Sequence, residues 1–179
     1  MSETQTRTGR LAKMGMLAAI SIVLMALIRI PFPLLPFLEY DPADISILIG
    51  TFAYGPLAGL FITVVVSVIQ GTMFATTGAY GVIMHIIATG SFVLVAGNIY
   101  RGERKTKKIA IIALIAGTLT MTAVMLPANY FITAAFFGMP SSAVVPMLPS
   151  IALFNLLKAG VNSLITFLVY KRISVFLHR

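Results

Sequence analysis

Lys158 lies inside a long apolar run near the end of the chain, where a charged side chain needs a partner. If the run from about Ser150 to Tyr170 is one helix, the ammonium lies roughly 12 Å from one end and 20 Å from the other. A lysine stem can extend only several ångströms towards water, and an unpaired ammonium in hydrocarbon costs at least about 2.5–3.5 kcal/mol. The position therefore indicates either a carboxylate from another helix or a polar ligand cavity, and we favour the cavity.

Two asparagines share the helical face of Lys158. Asn155 precedes it by three residues and Asn162 follows it by four, which are the spacings of neighbours on one helix face. Asn129 is a second candidate, since it follows Pro127, which frees a backbone carbonyl, and its amide offers donors and an acceptor. Each of these groups can line a ligand site or bond a neighbouring helix, and His85 and Gln70 are weaker candidates of the same kind.

An acidic block at Glu39–Asp44 holds three of the five acids of the chain. Asp41 can cap a helix that has Pro42 at its first position, so a solvated loop with a helix cap is one interpretation. Apolar and aromatic residues surround the acids, which favours a lid over a largely apolar ligand. The candidate lid residues are Leu38, Glu39, Tyr40, Asp41 and Asp44.

The composition requires a membrane protein. Hydrophobic residues make up 59% of the 179 residues and charged residues 10%, with a mean hydropathy of +0.99. Since one crossing takes about 20 apolar residues, the length allows six or seven spans and no soluble domain. We predict an all-α integral membrane protein that forms a single membrane domain over residues 1–179. The six predicted transmembrane helices cover about 11–30, 43–54, 56–74, 80–100, 109–137 and 150–170, with a proline-rich connection at 31–43 and a turn at 77–79.

The basic residues predict the orientation. Three lie in the N-terminal segment, five in residues 101–108 and three in residues 171–179, which is 11 of the 13. Six spans put all three groups on one side, and the positive-inside rule makes that side cytoplasmic. Both termini are therefore predicted to be cytoplasmic, in a multi-pass protein of the cell membrane. The net charge of +8 then reflects membrane anchoring and not nucleic-acid binding.

The residue types and motifs of the sequence also argue against an enzyme. The sequence has no cysteine, no phosphate-binding Gly-x4-Gly-Lys-Ser/Thr motif and no His-Glu-x-x-His motif. No catalytic residue and no metal ligand is therefore assigned, and no cofactor is expected. Six spans without an internal repeat are also few for an independent secondary transporter. A binding subunit fits better.

Several motifs together resemble the substrate-binding (S) components of energy-coupling factor (ECF) vitamin transporters, in particular the riboflavin-binding type. They are Phe37-Leu-Glu-Tyr-Asp-Pro-Ala-Asp44, Leu48-Ile-Gly50, Gly55-Pro-Leu-Ala-Gly59, Asn129 and Asn155-Leu-Leu-Lys158. This resemblance implies riboflavin as the transported ligand, with Asn129, Asn155 and Lys158 at the polar edge of the ring. The Leu38–Asp44 block would lie near the ribityl chain.

The resemblance also implies partners, namely a transmembrane scaffold subunit and two ATPase subunits that hydrolyse ATP for import. In that family a small-residue face of the first helix contacts the scaffold, and here Gly15, Ala18 and Ala19 are the candidates. Two alternatives remain. The chain can be an S component for another vitamin or a nucleobase-like ligand, or a structural membrane subunit in which Lys158 pairs with an acid such as Asp44.

Overall fold

The computed structural model describes residues 3–73, 78–102 and 105–177. Its helices and strands follow one another along the chain without a second sheet in these ranges. The elements are α1 (Glu3–Leu27), β1 (Ile30–Phe32), β2 (Leu35–Tyr40), α2 (Ala43–Tyr54), α3 (Pro56–Met73), α4 (Gly78–Tyr100), α5 (Lys107–Ala128), a π-helical turn (Asn129–Thr133), α6 (Ala134–Phe137), two 3₁₀ turns (Ser141–Ala143 and Val145–Met147) and α7 (Leu148–Leu177).

The helical membrane fold is confirmed. Five helical segments are long and apolar enough to cross a membrane, and α2 is a shorter apolar helix of 12 residues. The first and last helices are longer than predicted, since α1 begins at Glu3 and α7 continues to Leu177. Span five also differs, because a π-helical turn follows Pro127. The predicted end of span three at Phe74 and the start of the turn at Thr77 lie outside the described residues.

The connection at 31–43, predicted only as a proline-rich segment, contains a β-hairpin. α1 ends at Leu27, three residues earlier than predicted, and β1 and β2 then form an antiparallel hairpin with Ile30 opposite Tyr40. Proline lacks a backbone donor and is tolerated at strand edges, so Pro31 and Pro36 can lie in this isolated two-stranded ribbon. The hairpin covers one end of the helix bundle.

The short helix α2 is the centre of the bundle. All of its residues from Ala43 to Ala53 are buried, and it contacts α1, α3, α4 and α7. A helix that is apolar on every side must be enclosed, and here the neighbouring helices of the same chain enclose it. Ser21 on α1 donates a hydrogen bond to the Ala43 carbonyl oxygen over 3.0 Å, which fixes the start of α2.

The beginning of α1 and the end of α7 lie at the same end of the bundle. Near the C-terminal end of α2, Arg10 of α1 donates a hydrogen bond to the Tyr54 carbonyl oxygen, and Tyr170 of α7 donates one to the Phe52 carbonyl oxygen. The hairpin lies at the opposite end, before the start of α2. An even number of crossings, as predicted, produces this arrangement.

The crossing of α4 and α5 depends on Gly117. A Cβ atom at Gly117 would overlap the Phe92 ring and lie 3.2 Å from the Ala96 Cβ. Gly117→Ala is therefore expected to destabilise the fold by about 1–3 kcal/mol, measured as a lower midpoint of thermal unfolding in detergent. Gly160→Ala is the matched control, because nothing lies within 4 Å of its added Cβ. An unchanged midpoint for Gly117→Ala would contradict the close crossing.

Candidate functional site

Lys158 pairs with Asp41 across 117 residues of sequence. Its Nζ donates to Asp41 Oδ2 over 2.8 Å, and both side chains are buried. The other oxygen, Asp41 Oδ1, accepts a hydrogen bond from the Ala43 N–H at the start of α2. The carboxylate therefore joins the end of the hairpin segment, the start of α2 and the middle of α7. Breaking a buried pair of this kind leaves an uncompensated charge, which is costly.

Asp44 is the centre of a second polar cluster, which does not include the Lys158 ammonium as a direct partner. Its carboxylate accepts hydrogen bonds from His85 Nε2 (3.1 Å), Thr89 Oγ1 (2.8 Å) and Asn162 Nδ2 (3.3 Å). The side chain is fully buried, and its three donors come from α4 and α7. Asp44 therefore holds α2, α4 and α7 together.

Asn162 and Tyr40 attach the hairpin to α7. The Tyr40 hydroxyl donates to Asn162 Oδ1 over 3.0 Å, and Asn162 Nδ2 also donates to the Asp41 carbonyl oxygen. Burial and the nearby negative charge of Asp41 raise the pKa of Tyr40 above its usual value. The phenol therefore stays protonated at physiological pH and remains a donor.

A cavity of about 110 Å³ lies beneath the hairpin, and we call it the hairpin-side cavity. Five of the eight predicted ligand residues line it, namely Leu38, Glu39, Asp41, Asn155 and Lys158. Lys158 thus both pairs with a carboxylate and borders a cavity, so the two interpretations of this lysine are compatible. Its wall combines these polar groups with aromatic rings and methionines, which is the usual composition of a small-molecule site.

Three predicted residues do not line this cavity. Tyr40 and Asp44 are engaged in the contacts described above. Asn129 is fully buried, and its amide donates to the Met125 carbonyl oxygen and accepts from Thr133 Oγ1. Thr133 Oγ1 also lies 2.8 Å from the hydroxyl of Tyr80, which does line the cavity. Asn129 therefore reaches the cavity only through its neighbours in this structure, and a direct ligand contact stays a prediction.

Gln70 is a stronger candidate than its sequence context suggested. It lines the hairpin-side cavity, and its Oε1 atom is buried with no hydrogen-bond partner among the residues that the structure describes. Buried polar atoms are nearly always paired, so an acceptor in this position beside a cavity is suited to a ligand donor. The sequence signal for Gln70 was a single amide side chain in an apolar helix. The sequence could not show which groups lie opposite that amide.

Arg29 and Glu39 form an ion pair at the border of the cavity. Arg29 Nη2 lies 3.4 Å from Glu39 Oε2, and both residues are partly exposed and line the cavity. Exposed pairs contribute at most about 1 kcal/mol, so this contact is weak enough to open. Among residues 3–73, 78–102 and 105–177, no group of three His, Asp or Glu side chains is placed to hold a metal ion.

Comparison with known proteins identifies the family. The sequence profile described as "ECF transporter, substrate-specific component" matches residues 9–170. The chain belongs to the S components of ECF transporters. It is therefore a multi-pass protein of the cell membrane and a transporter component.

Individual relatives align with this S component over nearly its whole length. It is 34% identical over 178 residues to the riboflavin transporter RibU of Staphylococcus aureus (strain TCH60), covering 95% of this chain and 93% of the relative. It is 28% identical over 187 residues to the riboflavin transporter FmnP of Bacillus subtilis (strain 168), with coverage of 95% and 94%. A solved structure of the S component of a bacterial ECF transporter matches with a TM-score of 0.83 and 35% identity, over 97% of this chain and 99% of that one.

The predicted partner face of the S component needs one correction. Gly15 and Ala19 are exposed, and nothing lies within 4 Å of a Cβ built at Gly15. Ala18 is instead buried in the core with Met14 and Leu17, because it lies on the inward stripe of α1. Ala18 is therefore unavailable to a partner, whereas scaffold contact through Gly15 and Ala19 stays a prediction.

Proposed function

We propose that this S component binds riboflavin in the hairpin-side cavity. The observation that carries the proposal is the lining of that cavity, where Lys158, Asn155 and Gln70 meet aromatic and methionine side chains. Both relatives described above are riboflavin transporters, and each aligns with 95% of this chain.

The polar groups match one edge of a flavin. That edge alternates two carbonyl acceptors with one N–H donor, and an ammonium, an amide and the unpaired Gln70 Oε1 offer complementary partners. Lys158 has three N–H donors, so its bond to Asp41 leaves others for a carbonyl oxygen. The side chains suited to hold the tricyclic ring are Phe37, Tyr80, Met84, Met121, Met125 and Phe154.

Riboflavin entry requires the hairpin to move. Sites for ligands of this size have volumes of about 300 Å³ or more, and the present cavity has about 110 Å³. The weak Arg29–Glu39 pair and the Tyr40–Asn162 hydrogen bond are the polar contacts that such movement would break or rearrange. The hairpin therefore acts as the lid, and the ribityl chain lies beneath it.

Transport then depends on partner subunits. The resemblance to ECF transporters implies a membrane scaffold with two ATPase subunits, and we assign ATP hydrolysis to those subunits. The clustering of basic residues towards the chain ends and the 101–108 segment supports cytoplasmic termini. The hairpin-side cavity then faces the outside, where riboflavin is captured.

The test is the absorbance of the purified protein. We expect a yellow flavin spectrum, quenched flavin fluorescence, and riboflavin as the mass released on denaturation. Titration of ligand-free protein with thiamine and biotin is the comparison. Recovery of another vitamin with no riboflavin binding would assign the cavity to a different ligand.

Gln70→Leu is expected to weaken riboflavin binding about tenfold, because the ligand N–H loses its acceptor. The thermal midpoint should stay the same or rise, because the substitution removes an unpaired buried oxygen. Fluorescence titration and thermal unfolding measure the two effects. Thr72→Val on the same helix is the control, since Thr72 is exposed and, among the described residues, its hydroxyl bonds backbone oxygens of its own helix. A loss of stability without a loss of affinity would assign Gln70 a structural role.

A further inference from the structure

A second cavity lies at the opposite end of the bundle from the hairpin, and we call it the basic cavity. It has a volume of about 360 Å³. It lies between α1, the turn from α2 to α3, and the C-terminal end of α4. The cations Arg10, Arg101 and Lys105 line it together with Tyr54, Gly55 and Tyr100, and no acidic residue is among the described residues of its wall.

Two of the three cations lie close to aromatic residues. Arg10 Nη2 donates to the Tyr54 carbonyl oxygen over 2.6 Å, and its guanidinium carbon lies 5.6 Å from the centre of the Tyr54 ring. Lys105 Nζ lies 6.0 Å from the centre of the Tyr100 ring. A guanidinium has five N–H donors, and the bond to Tyr54 uses one. The cavity therefore presents fixed positive charge with donors that suit an oxyanion.

An apolar groove continues from the basic cavity along the outside of α1 and α3. It also has a volume of about 360 Å³, and it shares Arg10 and Leu57 with the basic cavity. Its apolar wall includes Leu11, Met14 and Phe61. Leu57 is 74% exposed and Phe61 56% exposed, so these two side chains face away from the core, whereas Met14 is buried beneath the groove. A positive head site and an apolar tail site therefore adjoin at one end of the membrane-spanning helices.

We infer that the basic cavity and this groove together bind an anionic phospholipid. The phosphate diester lies among Arg10, Arg101 and Lys105, and an acyl chain follows the groove past Leu57 and Phe61. Basic pockets between helices at the membrane surface are suited to anionic headgroups. A soluble phosphate would fill only the first half, whereas a phospholipid matches both halves. The bound lipid joins α1, the α2–α3 turn and the end of α4.

The test compares the full chain in nanodiscs with phosphatidylglycerol or phosphatidylcholine of the same acyl chains. Native mass spectrometry counts the lipids retained after release from the nanodisc. We expect phosphatidylglycerol to be retained at least about tenfold better than phosphatidylcholine. The double variant Arg10→Gln with Lys105→Gln should lose about tenfold of this retention, because each removed cation near the surface weakens headgroup attraction.

The matched control is the double variant Lys107→Gln with Lys108→Gln. It removes the same charge at the same end of the bundle from exposed residues that line neither cavity. Retention in this control should equal that of the parent, and thermal unfolding checks that both variants are folded. Equal losses in both variants would show that diffuse surface charge causes the retention. Saturation by inorganic phosphate with no lipid preference, or loss only of scaffold association in the Arg10/Lys105 variant, would also overturn the proposal.

Discussion

Lys158→Met is expected to weaken riboflavin binding and to destabilise the protein. Charge-assisted hydrogen bonds contribute about 1.5–3 kcal/mol, so the loss of the ammonium alone predicts roughly 10–100-fold weaker binding. Stability falls as well, because the buried Asp41 carboxylate loses its partner over 2.8 Å, a change that costs about 3–5 kcal/mol in buried pairs. Flavin fluorescence titration and thermal unfolding in detergent measure the two losses.

A double variant separates ligand binding from folding. Asp41→Asn with Lys158→Met removes both charges, so most of the lost stability should return because no buried charge is left unpaired. Riboflavin affinity should stay low, since the donor to the ligand is still missing. Lys108→Met is the control, because this lysine is exposed at the other end of the bundle. Full affinity in the double variant would show that Lys158 only neutralises Asp41 and does not contact the ligand.

Asp44→Ala is expected to lower stability more than any other single substitution in the polar core. It leaves His85, Thr89 and Asn162 without the carboxylate that accepts their hydrogen bonds in a fully buried position. Each unsatisfied buried donor costs about 1–3 kcal/mol, so a total loss of several kcal/mol is expected. Thermal unfolding measures it, and saturating riboflavin should raise the midpoint of this variant about as much as that of the parent, because Asp44 does not line the cavity.

Two further substitutions test whether the loss of stability is specific to the Asp44 carboxylate. Asp44→Asn keeps the size of the side chain and one acceptor oxygen, so it should destabilise less than Asp44→Ala. Glu39→Ala removes a partly exposed acid that belongs to the weak pair with Arg29, and its midpoint should stay close to that of the parent. If the Asp44→Ala protein had the same midpoint of thermal unfolding as the parent, this would contradict the role of Asp44 in joining α2, α4 and α7.

The sequence was sufficient to predict the membrane fold and five of the residues that line the hairpin-side cavity. Hydropathy identifies the apolar helices, and a lone lysine in such a helix indicates a partner or a ligand. It could not show which acid pairs with Lys158. Asp41 and Asp44 are three residues apart, and the choice depends on where α2 begins: Asp41 precedes the helix and reaches α7, whereas Asp44 lies in its first turn and faces α4.

Other features depend on contacts that no local pattern encodes. The prolines in residues 31–36 indicate only that a helix is unfavourable. The hairpin itself depends on strand pairing between residues ten apart, such as Ile30 with Tyr40. Gln70 resembles any amide in an apolar helix until the groups opposite it are known. Ala18 and Ala19 are neighbours in sequence, but successive residues of an α-helix point about 100° apart around its axis. Ala18 therefore faces the core, whereas Ala19 faces the surface.

The prolines of the hairpin also affect how the protein behaves when its lid is open. An exposed two-stranded ribbon presents unpaired backbone donors that can recruit a further strand from a peptide or another molecule. Pro31 and Pro36 lie within β1 and β2, and Pro33 lies in the turn, so these positions offer no N–H to such a strand. In the proposed open state the hairpin is thereby protected against edge-to-edge aggregation, because its prolines leave fewer backbone donors for an added strand.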